Sequence, residues 1–131
     1  METRTLRRYV TALTLLLAPL ATSGCLAAAA GLGAVYATSQ GSGAKVGKPI
    51  DAVAARARDV MAANEIKIEG QSSEKNGDHL EYKGKGKDRN VKITIDREAP
   101  EVTKFEVTAQ KNAIEYDQDF AKRLADQIVG G

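Results

Sequence analysis

The apolar positions of this chain keep two different periods. From Pro49 to Asn64, the residues Ile50, Val53, Ala54, Ala57, Val60 and Met61 recur at steps of three and four, the period of a helix that buries one stripe. Pro49 suits the first position of that helix, where a missing N–H costs nothing. Asp51, Arg56, Arg58 and Asp59 fall mostly on the other side. The period then drops to two. Ile66 and Ile68 alternate with Lys67 and Glu69, Leu80 and Tyr82 with Glu81 and Lys83, Val91, Ile93 and Ile95 with Lys92, Thr94 and Asp96, and Phe105, Val107 and Ala109 with Lys104, Glu106 and Thr108. Turn-forming residues separate these segments: Ser73 to Asp78 with Asn76-Gly77, Lys87 to Asn90, and Arg97 to Glu101 with Pro100. Connections this short join antiparallel neighbours, because a parallel pair needs a long crossover. A second helical stripe follows from Tyr116 or Asp117 to Val129, with Phe120, Leu124 and Ile128 four apart and Ala121 and Ala125 beside them. Asp117 and Asp119 sit at its start, where the helix dipole favours negative charge.

Neither helix can bury its stripe alone. The pattern therefore predicts an α+β fold: a two-layer sandwich in which an antiparallel sheet of about four strands carries both helices on one face. The other face then displays Lys67, Glu69, Glu81, Lys83, Lys85, Lys92, Asp96, Lys104 and Glu106. A mixed charged face is ordinarily solvated surface. Lys67, Glu81, Lys83, Lys92 and Lys104 are its candidate partner-docking residues.

Ahead of this domain lies a different kind of sequence. Arg4, Arg7 and Arg8 form a basic start, and Val10 to Leu20 is an uncharged, mostly apolar run, shorter than the ~20 residues that cross a bilayer. Ala21-Thr22-Ser23-Gly24-Cys25 follows. Small residues directly before a cysteine resemble the lipobox of bacterial lipoproteins, although Thr22 stands where that box usually has Leu. The resemblance implies cleavage between Gly24 and Cys25 and lipid on the Cys25 thiol. Leu26 rather than Asp follows the cysteine, which in such lipoproteins goes with the outer membrane, facing the periplasm, where the host has two membranes. Two alternatives stay open: an uncleaved span from Val10 to Val35, and cleavage after an alanine in 27–30 to release a soluble protein. Residues 38–48, rich in Gly and Ser, read as a flexible spacer reaching roughly 35 Å when extended, whose end from Ala44 to Lys48 offers a short edge strand. The expected organisation is a signal peptide over 1–24, a lipidated N-terminus and tether over 25–48, and one α+β domain over 49–131.

Charge and chemistry narrow the functional classes. The chain has 19 Lys+Arg and 17 Asp+Glu. Removing Arg4, Arg7, Arg8 and Glu2 leaves 16 basic and 16 acidic side chains from Cys25 onward (19 minus 3, 17 minus 1). A neutral mature part has no electrostatic footprint for nucleic acid. One cysteine permits no internal disulfide, and His79 is the only histidine, a poor start for a metal site. Lys83-Gly84-Lys85-Gly86-Lys87 lacks the form of a phosphate loop, and its glycines read as a bulge or bend. Glu115, Asp117 and Asp119 lack the glycine and closing glutamate of a calcium loop. No nucleophile–base constellation is present, so the domain is expected to be non-catalytic, without cofactor, and to act by contact with an envelope protein. A small binding module for lipid, glycan or peptide, held between sheet and helices, is the competing class.

The order of lipobox, Ala/Gly-rich stretch, spacer, Pro49-Ile50-Asp51-Ala52-Val53 helix, strand Asn90-Val91-Lys92-Ile93-Thr94-Ile95 and terminal helix resembles a family of small bacterial lipoproteins classed only as a domain of unknown function. That resemblance implies the anchor and the fold and brings no activity with it. Its turn before the last helix differs here, where Lys111 to Asp117 replaces a Gly-Asp-type turn. Replacing Cys25 by alanine is expected to stop processing at that site and abolish lipid labelling, as read by mass spectrometry of the mature N-terminus. An unmodified Cys25 thiol in the native protein contradicts the anchor.

Overall fold

The computed structural model describes residues 32–131, so the expectations for the export segment and for Cys25 lie outside the described residues. The described elements are β1 (Tyr36–Ala37), β2 (Gly41–Val46), α1 (Ile50–Ala63), β3 (Lys67–Glu74), a short 3-10 turn (Lys75–Gly77), β4 (His79–Lys85), β5 (Asn90–Ala99), β6 (Val102–Gln110) and α2 (Gln118–Val129). Every strand pairing is antiparallel, in the order β1-β2-β6-β5-β4-β3. Both helices pack on one face, giving the two-layer α+β sandwich, with six strands where four were expected.

The two added strands overturn the tether expected over 38–48. Gly41 to Val46 pairs with β6 from Gly41↔Thr108 to Val46↔Thr103, and β1 covers its outer side at Tyr36↔Gly43. The compact unit therefore takes in the described residues from Leu32 onward, not only those from 49. The physical reason is the size of the side chains. Ser42, Ala44 and Val46 point into the core and are buried, so the strand does alternate, but with residues small enough to read as a linker. Their smallness lets α2 lie close, through Ala121, Leu124, Ala125 and Ile128, all buried. Glycines serve the opposite face. A Cβ at Gly41 would collide with the Val107 carbonyl oxygen, and one at Gly43 would lie 2.7 Å from the Phe105 carbonyl oxygen and 2.9 Å from the Tyr36 ring.

Pro49 stands one position earlier than expected, at the N-cap of α1, where its carbonyl accepts from the Ala52 and Val53 amides. The stripe Ile50, Val53, Ala54, Ala57, Val60 and Met61 is buried as its spacing predicts. At the other end Glu65 adopts a left-handed conformation (φ 58). Its amide bonds the Ala62 carbonyl, and the Ile66 amide bonds that of Met61, which closes the helix with a Schellman motif. That motif brings Met61 and Ile66 together over Gly84, where an added Cβ would meet them at 2.5 and 2.6 Å. The glycine of the lysine-glycine repeat is thus the seat of α1 on β4. The bulge expected near it lies on the partner strand, between Ile68 and Gly70.

Arg56 and Arg58 are not idle on the outer side of α1. Arg56 donates through Nε and a terminal nitrogen to the Gln127 carbonyl at 3.0 and 2.8 Å, satisfying a carbonyl that the end of α2 leaves open. Arg58 bonds the Tyr82 hydroxyl at 2.9 Å. Two outcomes follow. Gly41→Ala is expected to destabilise the domain by about 1–3 kcal/mol through overpacking against backbone. Arg56→Ala is expected to cost about 1 kcal/mol through the lost carbonyl partner. Urea melts check both, and a Gly41→Ala protein as stable as the parent contradicts the placement of β2 inside the sheet.

Candidate functional site

Strand register turns the outward residues into rows across the open face. One row runs Gly70, Lys83, Lys92, Thr108, Gly41. The next runs Ser72, Glu81, Thr94, Glu106, Gly43, with Tyr36 lying over the last. A third holds His79, Asp96, Lys104 and Lys45. At the end marked by Gln110, Asn90 and Lys85, the row finishes on Lys67. All five candidate docking residues are therefore on one face, but not in one cluster. Lys67, Lys83 and Lys92 gather with Lys85 at the Asn90–Gln110 end. Glu81 lies in the acidic row beside them, and Lys104 lies in the third row. The neutral charge total conceals this segregation.

The charged groups of the third row are all paired, one pair within the row and two with carboxylates outside it. His79 Nδ1 meets Asp96 at 2.5 Å, Lys45 meets Glu98 at 2.8 Å, and Lys104 meets Glu106 at 3.6 Å. Exposed pairs of this kind each contribute less than about 1 kcal/mol. Burial pushes the Tyr36 phenol above its ordinary pKa, and Tyr36 and Glu106 raise that of the Lys104 ammonium beside them. His79 has its carboxylate partner across the β4–β5 pair. Among the described residues no group of three or more His, Cys, Asp or Glu is placed to hold a metal ion.

The basic end differs in shape. Between the Lys83–Lys92 pair and the Gln110–Tyr116 bridge the face sinks into a depression of about 370 Å³, lined also by Gln40, Glu69, Asn90 and Thr108. Sequence periodicity identified the lysines and Glu69 but not the neutral donors. Gln40 and Tyr116 arrive from segments outside the four expected strands, and Thr108 and Asn90 matter only through register. The space between sheet and helices, where a ligand pocket was the alternative, is occupied by a contiguous cluster of buried apolar side chains.

What holds the basic end in place is a contact on the other side of the sheet. The turn after β4 carries Arg89, whose Nε donates to Asp117 at 2.6 Å, while its guanidinium stacks 4.9 Å from the Phe120 ring centre. Asp117 is the N-cap of α2, accepting from the Phe120 amide at 3.0 Å. The spaced acids thus resolve as a helix cap at Asp117, a first-turn residue at Asp119, and Glu115 facing Lys111 at 3.6 Å. Burial alone would raise the pKa of Asp117, which is 9% exposed, but the Phe120 amide and Arg89 outweigh it and hold the carboxyl below its usual value.

A lowered folded pKa gives stability that is fully present above the unfolded value, about 3.9, and is lost as pH falls through the folded one. Asp117→Ala is expected to cost about 2 kcal/mol near neutral pH, combining a lost cap with an unpaired Arg89. That difference should shrink below about pH 4. Denaturant melts of both proteins across this range check it, and a gap that stays constant into acid contradicts the assignment.

No helix among the described residues is long and apolar enough to cross a membrane. Compared with models of protein families the chain matches none, and no curated protein matches it, so the likeness to uncharacterised lipoproteins rests on the residues quoted for it.

Proposed function

We propose that this chain is a lipid-anchored envelope protein whose folded part works by contact, not catalysis, through the open face of its sheet. The observation that carries the reading is one-sidedness. Two helices cover most of one face, and among the described residues the other is left uncovered, with charge sorted along it and a depression at one end. The basic start, apolar run and Ser23-Gly24-Cys25 support the anchor.

The fold changes how the anchor acts. The Gly33 amide already bonds the Lys45 carbonyl at 2.6 Å. A lipid on Cys25 then stands eight residues before Gly33, at most roughly 28 Å of chain from the fold. Such a leash keeps the domain close to the bilayer and raises its effective concentration near neighbours there, so a weak contact suffices. A ligand-binding role is the second reading, favoured by the depression on the open face.

The test is site-directed photocrosslinking in intact envelopes. A photoreactive residue at Thr94, central on the open face, is expected to give a discrete adduct, and one at Lys122 on the outer side of α2 is not. Lys83→Glu with Lys92→Glu should reduce the Thr94 adduct severalfold while the melting temperature holds. Adducts from Lys122 alone, or turnover of a substrate by the purified protein, would overturn the reading.

A further inference from the structure

Lys83 and Lys92 are placed directly across from one another on β4 and β5, and both line the open-face depression. Like charges so opposed destabilise a sheet. Lys83 reaches Glu81 at 3.3 Å, but among the described residues Lys92 has no carboxylate within ion-pair distance, and its other strand neighbour is Thr108. The pair is a cost that the fold does not recover by itself.

We infer that this depression, on the open face taken above as the working surface, binds a small soluble phosphate monoester through Lys83 and Lys92. A phosphate monoester carries about −1.5 to −2 charge near pH 7, which matches two ammonium groups better than a single carboxylate does. The Thr108 hydroxyl and the side-chain amides of Asn90 and Gln110 line the same space and supply neutral donors to phosphate oxygens. Glu69 at the rim repels a second anion and accepts from a hydroxyl, so the rest of the ligand is neutral and hydroxylated. A volume of about 370 Å³ is at the small end of ligand pockets, which run ~300–1,000 Å³, and suits a molecule the size of a sugar phosphate.

Two ammonium groups match a monoester better than the singly charged phosphodiester of a common bilayer headgroup, and the vesicle arm of the experiment separates the two sources. Gly33 joins the fold beside Lys45, at the end of β2 that pairs with Thr103. The depression lies at the other end, where Asn90 faces Gln110. Lys45 lies in the row of Asp96 and the depression in the rows of Asn90 and Lys92, four to six residues away along β5, roughly 13–20 Å. The depression is thus set back along the sheet from Gly33.

The experiment uses the full chain in a maltoside detergent, which brings no phosphate of its own. Inorganic phosphate, a hexose monophosphate and the unphosphorylated hexose are titrated by calorimetry and by amide chemical shifts. Saturable binding of the hexose monophosphate is expected, tighter than inorganic phosphate, with the free hexose silent and with shifts at Lys83, Lys92 and Thr108. Lys83→Gln with Lys92→Gln should weaken it by at least roughly tenfold, the order expected for losing charge-assisted hydrogen bonds. Lys45→Gln with Lys104→Gln, at the other end of the face, should not. Absence of saturable binding, equal loss in both double variants, or binding only to phosphatidylglycerol vesicles overturns the inference. If phosphates fail while the Thr94 crosslink still depends on Lys83 and Lys92, the contact reading stands and the ligand assignment alone falls.

Discussion

A six-stranded sheet has two faces, and the described residues supply apolar cover for one. Most of the structure follows from that constraint. Alternate residues of β2, β4, β5 and β6 enter a single cluster in which Phe105, Ile93, Ile95, Leu124 and Met61 are fully buried, and burial of such side chains supplies the main favourable term in folding. The period of two then obliges their neighbours to face outward. Charged side chains on that face are the necessary complement of the core. How those charges are arranged along the face is a separate matter, set by register.

The helices reach the sheet only where small residues let them. Ser42 and Ala44 admit α2, and Gly84 admits Met61 and Ile66 at the end of α1. Polar contacts then fix the ends: Arg56 on the last carbonyls of α2, and Arg89 on the cap at Asp117. The second of these ties the turn beside the basic row to the helix layer, so the open face is shaped partly from behind.

Large side chains made most of this fold legible. Val91-Ile93-Ile95 and Phe105-Val107-Ala109 announce strands because their bulk alternates with charge, and the stripe from Ile50 to Met61 announces a helix. Only the end of β2, from Ala44, could be read as a strand, and then as an edge; the rest was hidden because its core side is Ser, Ala and Val and its outer side Gly, Gly and Lys, a composition that also describes a linker. The two-residue β1 has no pattern to read. Of the site, Lys67, Glu81, Lys83, Lys92 and Lys104 follow from alternation alone, but their grouping does not. Register places Lys83 opposite Lys92 and Lys104 opposite Asp96. Tyr116 reaches the depression only through an isolated bridge to Gln110, a long-range pairing with no local signal.

The proposed anchored, contact-making role has one direct consequence: in native envelopes the face left uncovered among the described residues is occupied. Lysine acylation footprinting, run on the purified protein and on intact envelopes, reads this residue by residue. Lys83 and Lys92 should be modified readily in the purified protein and severalfold less in envelopes, while Lys122, on the outer side of α2, reacts alike in both. Equal modification of Lys83 and Lys92 in the two states would show the open face to be solvated surface and contradict the account.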